Sequence, residues 1–217
     1  EQLKEGQELV GKELIMDKPN KLIVNHYTKG SLFEQIMGAL KVLGKDASTL
    51  SLEDLKPVDE FHIGGLQATD HLLDQLEMRP KAKVLDIGSG IGGPARHLAS
   101  RYGAQVTGID LTPEFVETAD RLTQIVGLSV SYKVGSALDM PLNDAEFDVA
   151  TLIHVGMNVP DKQKLFSEAA RVLRTDGTFA VYDVMQLGAE HPDFPLPWAS
   201  TSEASFLDKP ENYRTAS

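Results

Sequence analysis

Short apolar runs alternate with helical patterns through the middle of the chain. The strands predicted from these runs are Ala82–Ile87, Gln105–Ile109, Val130–Val134, Asp148–Ile153 and Thr178–Val184. Between them, apolar residues at helical spacing and capping residues predict helices over Gly93–Arg101, Pro113–Ile125 and Asp161–Arg174. Because strand–helix–strand units connect parallel strands by right-handed crossovers, the chain is predicted to be α/β, with a doubly wound, mainly parallel sheet.

The segments on either side of this alternation have different patterns. Residues 1–78 are predicted to form an N-terminal helical cap, with one apolar helix over Ser31–Leu43 and a capping pair of Ser51 with Asp54. Residues 79–185 are the predicted ligand-binding core. Residues 186–217 are rich in Pro, Asp and Ser and are predicted to be a lid or loop within an incomplete C-terminal part. We therefore expect the terminal strands of the sheet to be missing.

Composition narrows the class of protein. The 217 residues suit one domain with an appendage, and their 21 Lys and Arg against 32 Asp and Glu give a formal charge of -11. Such a surface repels phosphate backbones, so nucleic acid is not an expected partner. No apolar run reaches the roughly 20 residues of a membrane span, and we expect a cytoplasmic protein. The absence of Cys excludes disulfides and thiolate chemistry.

The strongest local signal is a glycine turn between the first strand and the first core helix. In the run Val84–Gly93, we expect Gly88 to allow a tight turn, Gly90 to let a ligand approach the backbone and Gly93 to let the helix pack closely. Asp110 follows at the end of the second strand, where a carboxylate can bind a ribose diol. This pattern predicts a nucleotide-type cofactor and leaves NAD and S-adenosylmethionine open.

Asp86 favours the second of these cofactors. It lies two residues before Gly88, where a carboxylate would repel a pyrophosphate and attract a cation. S-adenosylmethionine carries a sulfonium and an ammonium group and no phosphate. The position of Asp86 therefore shifts the expectation from NAD to S-adenosylmethionine.

The ordered set of motifs resembles the class I S-adenosylmethionine-dependent methyltransferases. The resemblance covers about residues 81–184 and is carried by five segments: Val84–Gly93, Gly108–Thr112, Gly135–Pro141, Phe147–Asp148 and Arg171–Gly177. Residues 21–78, above all the segment Asp59–Gly65, resemble the helical cap of small-molecule members of that family. These members include sarcosine/dimethylglycine N-methyltransferases and quinone and tocopherol C-methyltransferases.

The resemblance implies a set of cofactor-binding residues. They are Asp86, Gly88, Ser89, Gly90, Asp110, Leu111, Ser136, Ala137, Leu138, Ile153 and His154. In this assignment Asp86 lies near the ammonium group, Asp110 accepts from both ribose hydroxyls, and Leu111 with Ala137 and Leu138 surrounds the adenine. Ser136 departs from the family pattern, which often has Asp there, and a hydroxyl accepts more weakly than a carboxylate.

Two residues are candidates for catalysis. His154 follows the fourth strand, at the edge of the sheet where ligands bind, and is the leading candidate for a general base. Tyr27 resembles an aromatic residue of the cap that closes over the cofactor in relatives. For each, a purely structural role remains open.

Other polar and aromatic residues are weaker candidates. His62, Asn158 and Trp198 are considered as possible lining residues, and His97 is predicted to lie on a solvated helix face. No metal site is predicted, because the His191–Asp193 run has no partner ligands at metal spacing.

The expected activity is methyl transfer from S-adenosylmethionine to a small molecule. The first acceptor considered is an amine such as sarcosine or dimethylglycine, and the alternative is a quinone or phenol methylated at carbon or oxygen. Two other classes stay open: an NAD-dependent oxidoreductase, and a nucleotide-binding module without catalysis.

Overall fold

A computed structural model describes residues 32–59, 62–189 and 192–216. Within this part of the chain, one sheet contains five parallel strands in the order β3-β2-β1-β4-β5. The strands are β1 Lys83–Ile87, β2 Gln105–Asp110, β3 Ser131–Val134, β4 Phe147–Ile153 and β5 Leu173–Tyr182. The predicted parallel α/β fold is confirmed.

Seven α-helices surround this sheet in the described part of the chain. They are α1 Leu32–Val42, α2 Leu52–Asp59, α3 Gly65–Leu73, α4 Gly93–Tyr102, α5 Pro113–Ile125, α6 Lys162–Val172 and α7 Pro210–Ala216. Within the described residues, no helix combines the length and apolar character that crossing a bilayer requires.

One predicted strand boundary was wrong, and one short helix was not predicted. The fifth strand begins at Leu173 rather than Thr178, because Leu173 pairs with Phe147 before a bulge that brings Thr178 opposite Val149. The residues within the bulge match a turn pattern in sequence, which hid the start of the strand. Helix α7 lies in the segment predicted to lack a helix; it has seven residues and buries only Tyr213, too few for a periodic signal.

Alternate residues of the central strands pack on opposite faces of the sheet. Leu85 and Leu152 belong to one apolar cluster with residues of α6, whereas Val84 and Val149 belong to another with Leu98 of α4. Because β1 and β4 are covered on both faces, their residues are nearly all buried. This arrangement is the doubly wound packing that the strand–helix alternation predicts.

The first helices pack next to the glycine turn. Ile36 and Leu40 of α1 and Leu55 of α2 form a cluster with Ile91 of the turn and Leu122 of α5. The predicted capping pair at the start of α2 also forms, since the Asp54 carboxylate accepts from the backbone N–H of Ser51 at 3.0 Å. These contacts bring α1 and α2 to the rim of the ligand-binding edge of the sheet.

A buried ion pair fixes α2 against α4. Arg96 is 0% exposed, and its guanidinium donates to the Asp59 carboxylate at 2.5 Å and to the Thr123 hydroxyl at 3.1 Å. A Cβ atom on Gly93 would lie 2.2 Å from the backbone oxygen of Asp59. The neighbour that requires glycine at position 93 is thus the end of α2, and not the strand that the sequence pattern suggested.

We expect Asp59→Ala to destabilise the fold by about 3–5 kcal/mol, because it leaves the Arg96 guanidinium buried without its carboxylate. The control is Glu34→Ala, which breaks the exposed ion pair with Arg121 and should cost far less. Urea unfolding followed by circular dichroism measures both. Adding Arg96→Met to Asp59→Ala should recover part of the loss, since no buried charge then remains. Equal losses in the two single variants would contradict the assignment.

Candidate active site

A cavity of about 770 Å³ opens at the carboxyl ends of the central strands, a size typical of small-molecule sites. Every predicted cofactor-binding residue lines it: Asp86, Gly88, Ser89, Gly90, Asp110, Leu111, Ser136, Ala137, Leu138, Ile153 and His154. His62, Asn158 and Trp198 also line it. Tyr27 lies outside the described residues. The predicted cofactor-binding residues are up to 68 positions apart in sequence, and the structure brings them together at one edge of the sheet.

The glycine turn forms a cradle that is open on one side. Gly88 has a φ of +74°, and a Cβ atom there would lie 2.4 Å from Val155. Gly90 has a φ of +53°, yet a Cβ atom there would meet nothing within 4 Å. The turn is held to β2, because the backbone N–H groups of Gly88 and Ser89 both donate to the Ile109 carbonyl. A ligand can thus approach the backbone at Gly90, as the sequence pattern predicts.

The Asp110 carboxylate connects the glycine turn to the start of α5. Its two oxygens accept from the backbone N–H of Gly90 at 2.9 Å and of Thr112 at 2.8 Å. Burial raises the pKa of Asp110, and the backbone donors from Thr112 and Gly90 oppose this rise. The Thr112 hydroxyl and the Leu111 backbone also donate to this carboxylate and oppose the rise in its pKa.

Asp86 places a second carboxylate at the base of the cavity. It is 2% exposed and accepts from the Thr151 hydroxyl on the neighbouring strand at 3.0 Å. The third acidic lining residue is Asp59, which is paired with Arg96. Among the described lining residues there is no Lys or Arg. The cavity therefore favours cationic or neutral groups over anionic ones.

The loop after β3 holds itself in place through Ser136. The Ser136 hydroxyl accepts from the backbone N–H of Leu138 at 3.1 Å. Asp139, a carboxylate in the same loop, is exposed and does not contribute to the described lining. The weaker acceptor at position 136 is thus not compensated by Asp139 in this structure.

His154 occupies the end of β4 in a left-handed conformation, with a φ of +59°. Its backbone N–H donates to the Tyr182 carbonyl at 2.7 Å, and its ring lies 6.1 Å from Trp198 and 6.4 Å from His62. Burial, and then the nearby His62, lower the pKa of His154 to about 4. Its Nε2 is shielded from solvent and has no hydrogen-bond partner among the residues that the structure describes. At neutral pH His154 is therefore an uncharged base.

The comparisons with known proteins agree with this geometry. Residues 85–181 match the model of the Methyltransferase domain family. Over this stretch, just under half of its length, the chain is similar to class I S-adenosylmethionine-dependent methyltransferases. The cofactor of that family is S-adenosylmethionine.

Three similar proteins illustrate the range of this methyltransferase domain. A probable tocopherol O-methyltransferase of Oryza sativa subsp. japonica is 46% identical over 101 residues, which cover 46% of this chain and 28% of that protein. Ajmaline N-methyltransferase of Rauvolfia serpentina is 40% identical over 110 residues, which cover 50% of this chain and 38% of that protein. The structure of phosphoethanolamine N-methyltransferase 2 of Haemonchus contortus was solved with S-adenosylmethionine. It matches with a TM-score of 0.62 at 26% identity, and the match covers 73% of this chain and 37% of that protein. The chain thus spans less than two fifths of the length of these proteins.

The segment after β5 forms one wall of the cavity. Pro197, Trp198 and Ser200 line it, and the Asn158 amide donates to the carbonyls of Trp198 at 2.9 Å and Ala204 at 3.0 Å. Asn158 and Trp198 are thus connected to each other, which their separation of 40 residues in sequence did not indicate.

Two further sequence expectations can be compared with the structure. The prediction that His97 lies on a solvated face was wrong: its side chain is 15% exposed, and its Nε2 lies 2.7 Å from the Asp70 carboxylate because α3 covers that face of α4. In the described part of the chain, no group of three His, Asp or Glu residues could hold a metal ion.

Sequence reasoning also missed lining residues that come from outside the sheet. Asp59 of α2 and Phe115 of α5 line the cavity, as does Leu32 of α1. The one signal that could have indicated Asp59 is Gly93, since glycine at a helix start marks a close neighbour but does not say which one.

We expect His154→Gln to reduce the acid sensitivity of stability. In the unfolded chain a histidine has a pKa near 6.5, so between about pH 6.5 and pH 4 the unfolded state binds a proton that folded His154 does not. This contribution is intact above pH 6.5 and lost as the pH falls towards 4. The loss of unfolding free energy from pH 7 to pH 5 should therefore be smaller in the variant by about 1–2 kcal/mol.

The measurement is urea unfolding at both pH values. His71→Gln is the control, because His71 is exposed on α3 and should leave the wild-type pH dependence unchanged. If His154→Gln also keeps the wild-type dependence, the uncharged state of His154 at neutral pH is refuted.

Proposed function

We propose that this chain transfers a methyl group from S-adenosylmethionine to a small-molecule acceptor. The observation that carries the proposal is the open backbone at Gly90 between the carboxylates of Asp86 and Asp110, within a methyltransferase domain. The proposal includes a division into a helical cap over residues 1–78, a cofactor-binding core over 79–185 and a lid over 186–217.

The chemistry of the lining supports this cofactor over NAD. Asp110 would bind the ribose hydroxyls, Asp86 would face the ammonium and sulfonium side, and Leu111 with Ser136, Ala137 and Leu138 would surround the adenine. A pyrophosphate would instead meet Asp86 and Asp110 without a Lys or Arg from the described lining. The carboxylates therefore favour a cationic cofactor.

When bound, the cofactor supplies a methyl group on a sulfonium that is already a good leaving group. The chain then has to orient the acceptor, exclude water and take up any proton that the acceptor loses. Uncharged His154 can receive that proton, and its neutral ring does not repel a sulfonium. Tyr27 remains a predicted contributor from the cap.

The acceptor classes raised by the sequence differ in charge. Sarcosine and dimethylglycine carry a carboxylate, which would be buried next to acidic residues without a basic partner from the described lining. A neutral phenol has no such cost, and its ring can pack against Trp198 and His154. Among relatives, one is named for O-methylation of a tocopherol. We therefore favour a neutral phenolic acceptor over the amino acids.

We expect S-adenosylmethionine and S-adenosylhomocysteine to stabilise the protein by about 2.7 kcal/mol at 100 times their dissociation constants, and NAD to have no effect. Asp86→Asn and Asp110→Asn should weaken both ligands at least about tenfold, roughly 1.4 kcal/mol, because each removes a charge from the cavity. Asp139→Asn is the control, as this exposed carboxylate lies outside the described lining. Thermal-shift titrations of the unmodified chain and of the three variants with each ligand measure these effects. Stabilisation by NAD alone would refute the proposed cofactor.

We expect 4-methylphenol to be methylated at least about tenfold faster, in kcat/KM, than 4-hydroxyphenylacetate, sarcosine or dimethylglycine, since a buried unpaired carboxylate is costly. Release of S-adenosylhomocysteine measures the rates. Ser200→Arg places a cation in the lining and should raise the rate with 4-hydroxyphenylacetate while slowing 4-methylphenol little. Faster turnover of the carboxylated acceptors by the unmodified chain would overturn the acceptor class.

A further inference from the structure

Two histidines face each other across the cavity and are connected through one tyrosine. The rings of His62 and His154 lie 6.4 Å apart, and the Tyr182 ring lies 6.1 Å from His62. The Tyr182 carbonyl accepts from the backbone N–H of His154, while its hydroxyl donates to the Ile63 carbonyl next to His62. The end of β5 therefore fixes both members of the pair, which come from different parts of the chain.

His62 is placed so that both its ring nitrogens can carry a proton. Its Nδ1 lies 3.2 Å from the Ile63 carbonyl, which can only accept, and its Nε2 lies 3.0 Å from the Thr69 hydroxyl, which can accept or donate. A doubly protonated His62 can therefore donate from both ring nitrogens. His62 itself is half-buried.

The surroundings of His154, in contrast, disfavour a second proton on its ring. Its Nε2 is shielded and has no partner among the described residues. Two carboxylates at the same edge of the sheet are already engaged: Asp86 on β1 accepts from Thr151, and Asp183 after β5 accepts from Tyr213 at 2.8 Å. From the lid it meets the uncharged Trp198 ring, and from the loop before α3 it meets His62. A second proton on His154 would thus be a buried charge beside a like charge.

We propose that His62 is a positioning residue that takes the charge of the pair as the pH falls and thereby keeps His154 uncharged. This order of protonation rests on the two ring environments alone. Its consequence for catalysis rests on the proposed function, in which uncharged His154 receives the acceptor's proton.

The test is an NMR titration of the imidazole signals in histidine-labelled protein, with His154→Gln used to assign the His154 signal. His62 should titrate at a higher pH than His154. In His62→Gln the His154 midpoint should rise by roughly 0.5–2 pH units, the range for unit charges 6.4 Å apart at an effective dielectric constant between about 80 and 20. In the control His71→Gln, which changes an exposed histidine of α3, it should not move.

A second variant tests the pair by changing a hydrogen-bond partner of His62, and it leaves both histidines in place. Thr69→Val removes the hydroxyl that accepts from Nε2 of charged His62, so the His62 midpoint should fall. The proposal is overturned if His154 titrates above His62, or if its midpoint is the same in His62→Gln and the unmodified chain.

The kinetic counterpart separates this proposal from the proposed function. If the chain methylates a phenol, the acid limb of kcat against pH should move to higher pH in His62→Gln together with the His154 midpoint. If no acceptor is methylated and no cofactor binds, the proposed function fails, yet the NMR order of protonation still decides the role of His62. A His62→Gln rate loss equal at every pH would indicate a structural role and overturn the proposal.

Discussion

The buried guanidinium of Arg96 is the interaction on which the shape of the site depends. It contacts the Asp59 carboxylate of α2 and the Thr123 hydroxyl of α5, and Thr123 in turn lies 3.0 Å from the Tyr132 hydroxyl of β3. Four elements thus meet around one charge. Because removing two ions from water costs several kcal/mol, such a pair specifies geometry more than it adds stability. Here the geometry it specifies is the distance between α2 and the glycine turn.

That distance determines what the cavity can hold. Gly93 lets the end of α2 approach, Gly92 leaves room for Tyr132, and the turn is then fixed with Gly90 facing open space. Carboxylates from the first two strands and the neutral rings of His154 and Trp198 line the same cavity. The lining therefore combines acidic groups, which favour a cation, with uncharged aromatic groups, which favour a neutral ligand.

The sequence predicted the sheet better than it predicted the contacts between layers. Strands β1 to β4 lie within one residue of their predicted bounds, because β1, β2 and β4 bury apolar residues between clear turn signals and β3 alternates exposed with half-buried residues. The start of β5 was missed since a bulge has no hydrophobic period. The same difference between sheet and layer contacts holds for the site. Asp86, Gly90 and Asp110 could be placed from their spacing along two strands. Asp59, the His97–Asp70 pair and the bond between Asn158 and Trp198 arise from helix and lid packing, which no local pattern encodes.

One short stretch after β4 connects the proposed base to the lid. His154 stands at its beginning, Asn158 binds two lid carbonyls in its middle, and Lys162 at the start of α6 donates to the carbonyls of Val159 and Phe206. Burial lowers the pKa of Lys162, but these two acceptors satisfy its ammonium group. Since the turn around Gly156 is also packed against Asp183 and Tyr213, this stretch has little room to adjust. The position of the cavity wall around Trp198 and the orientation of His154 are therefore set by the same few residues.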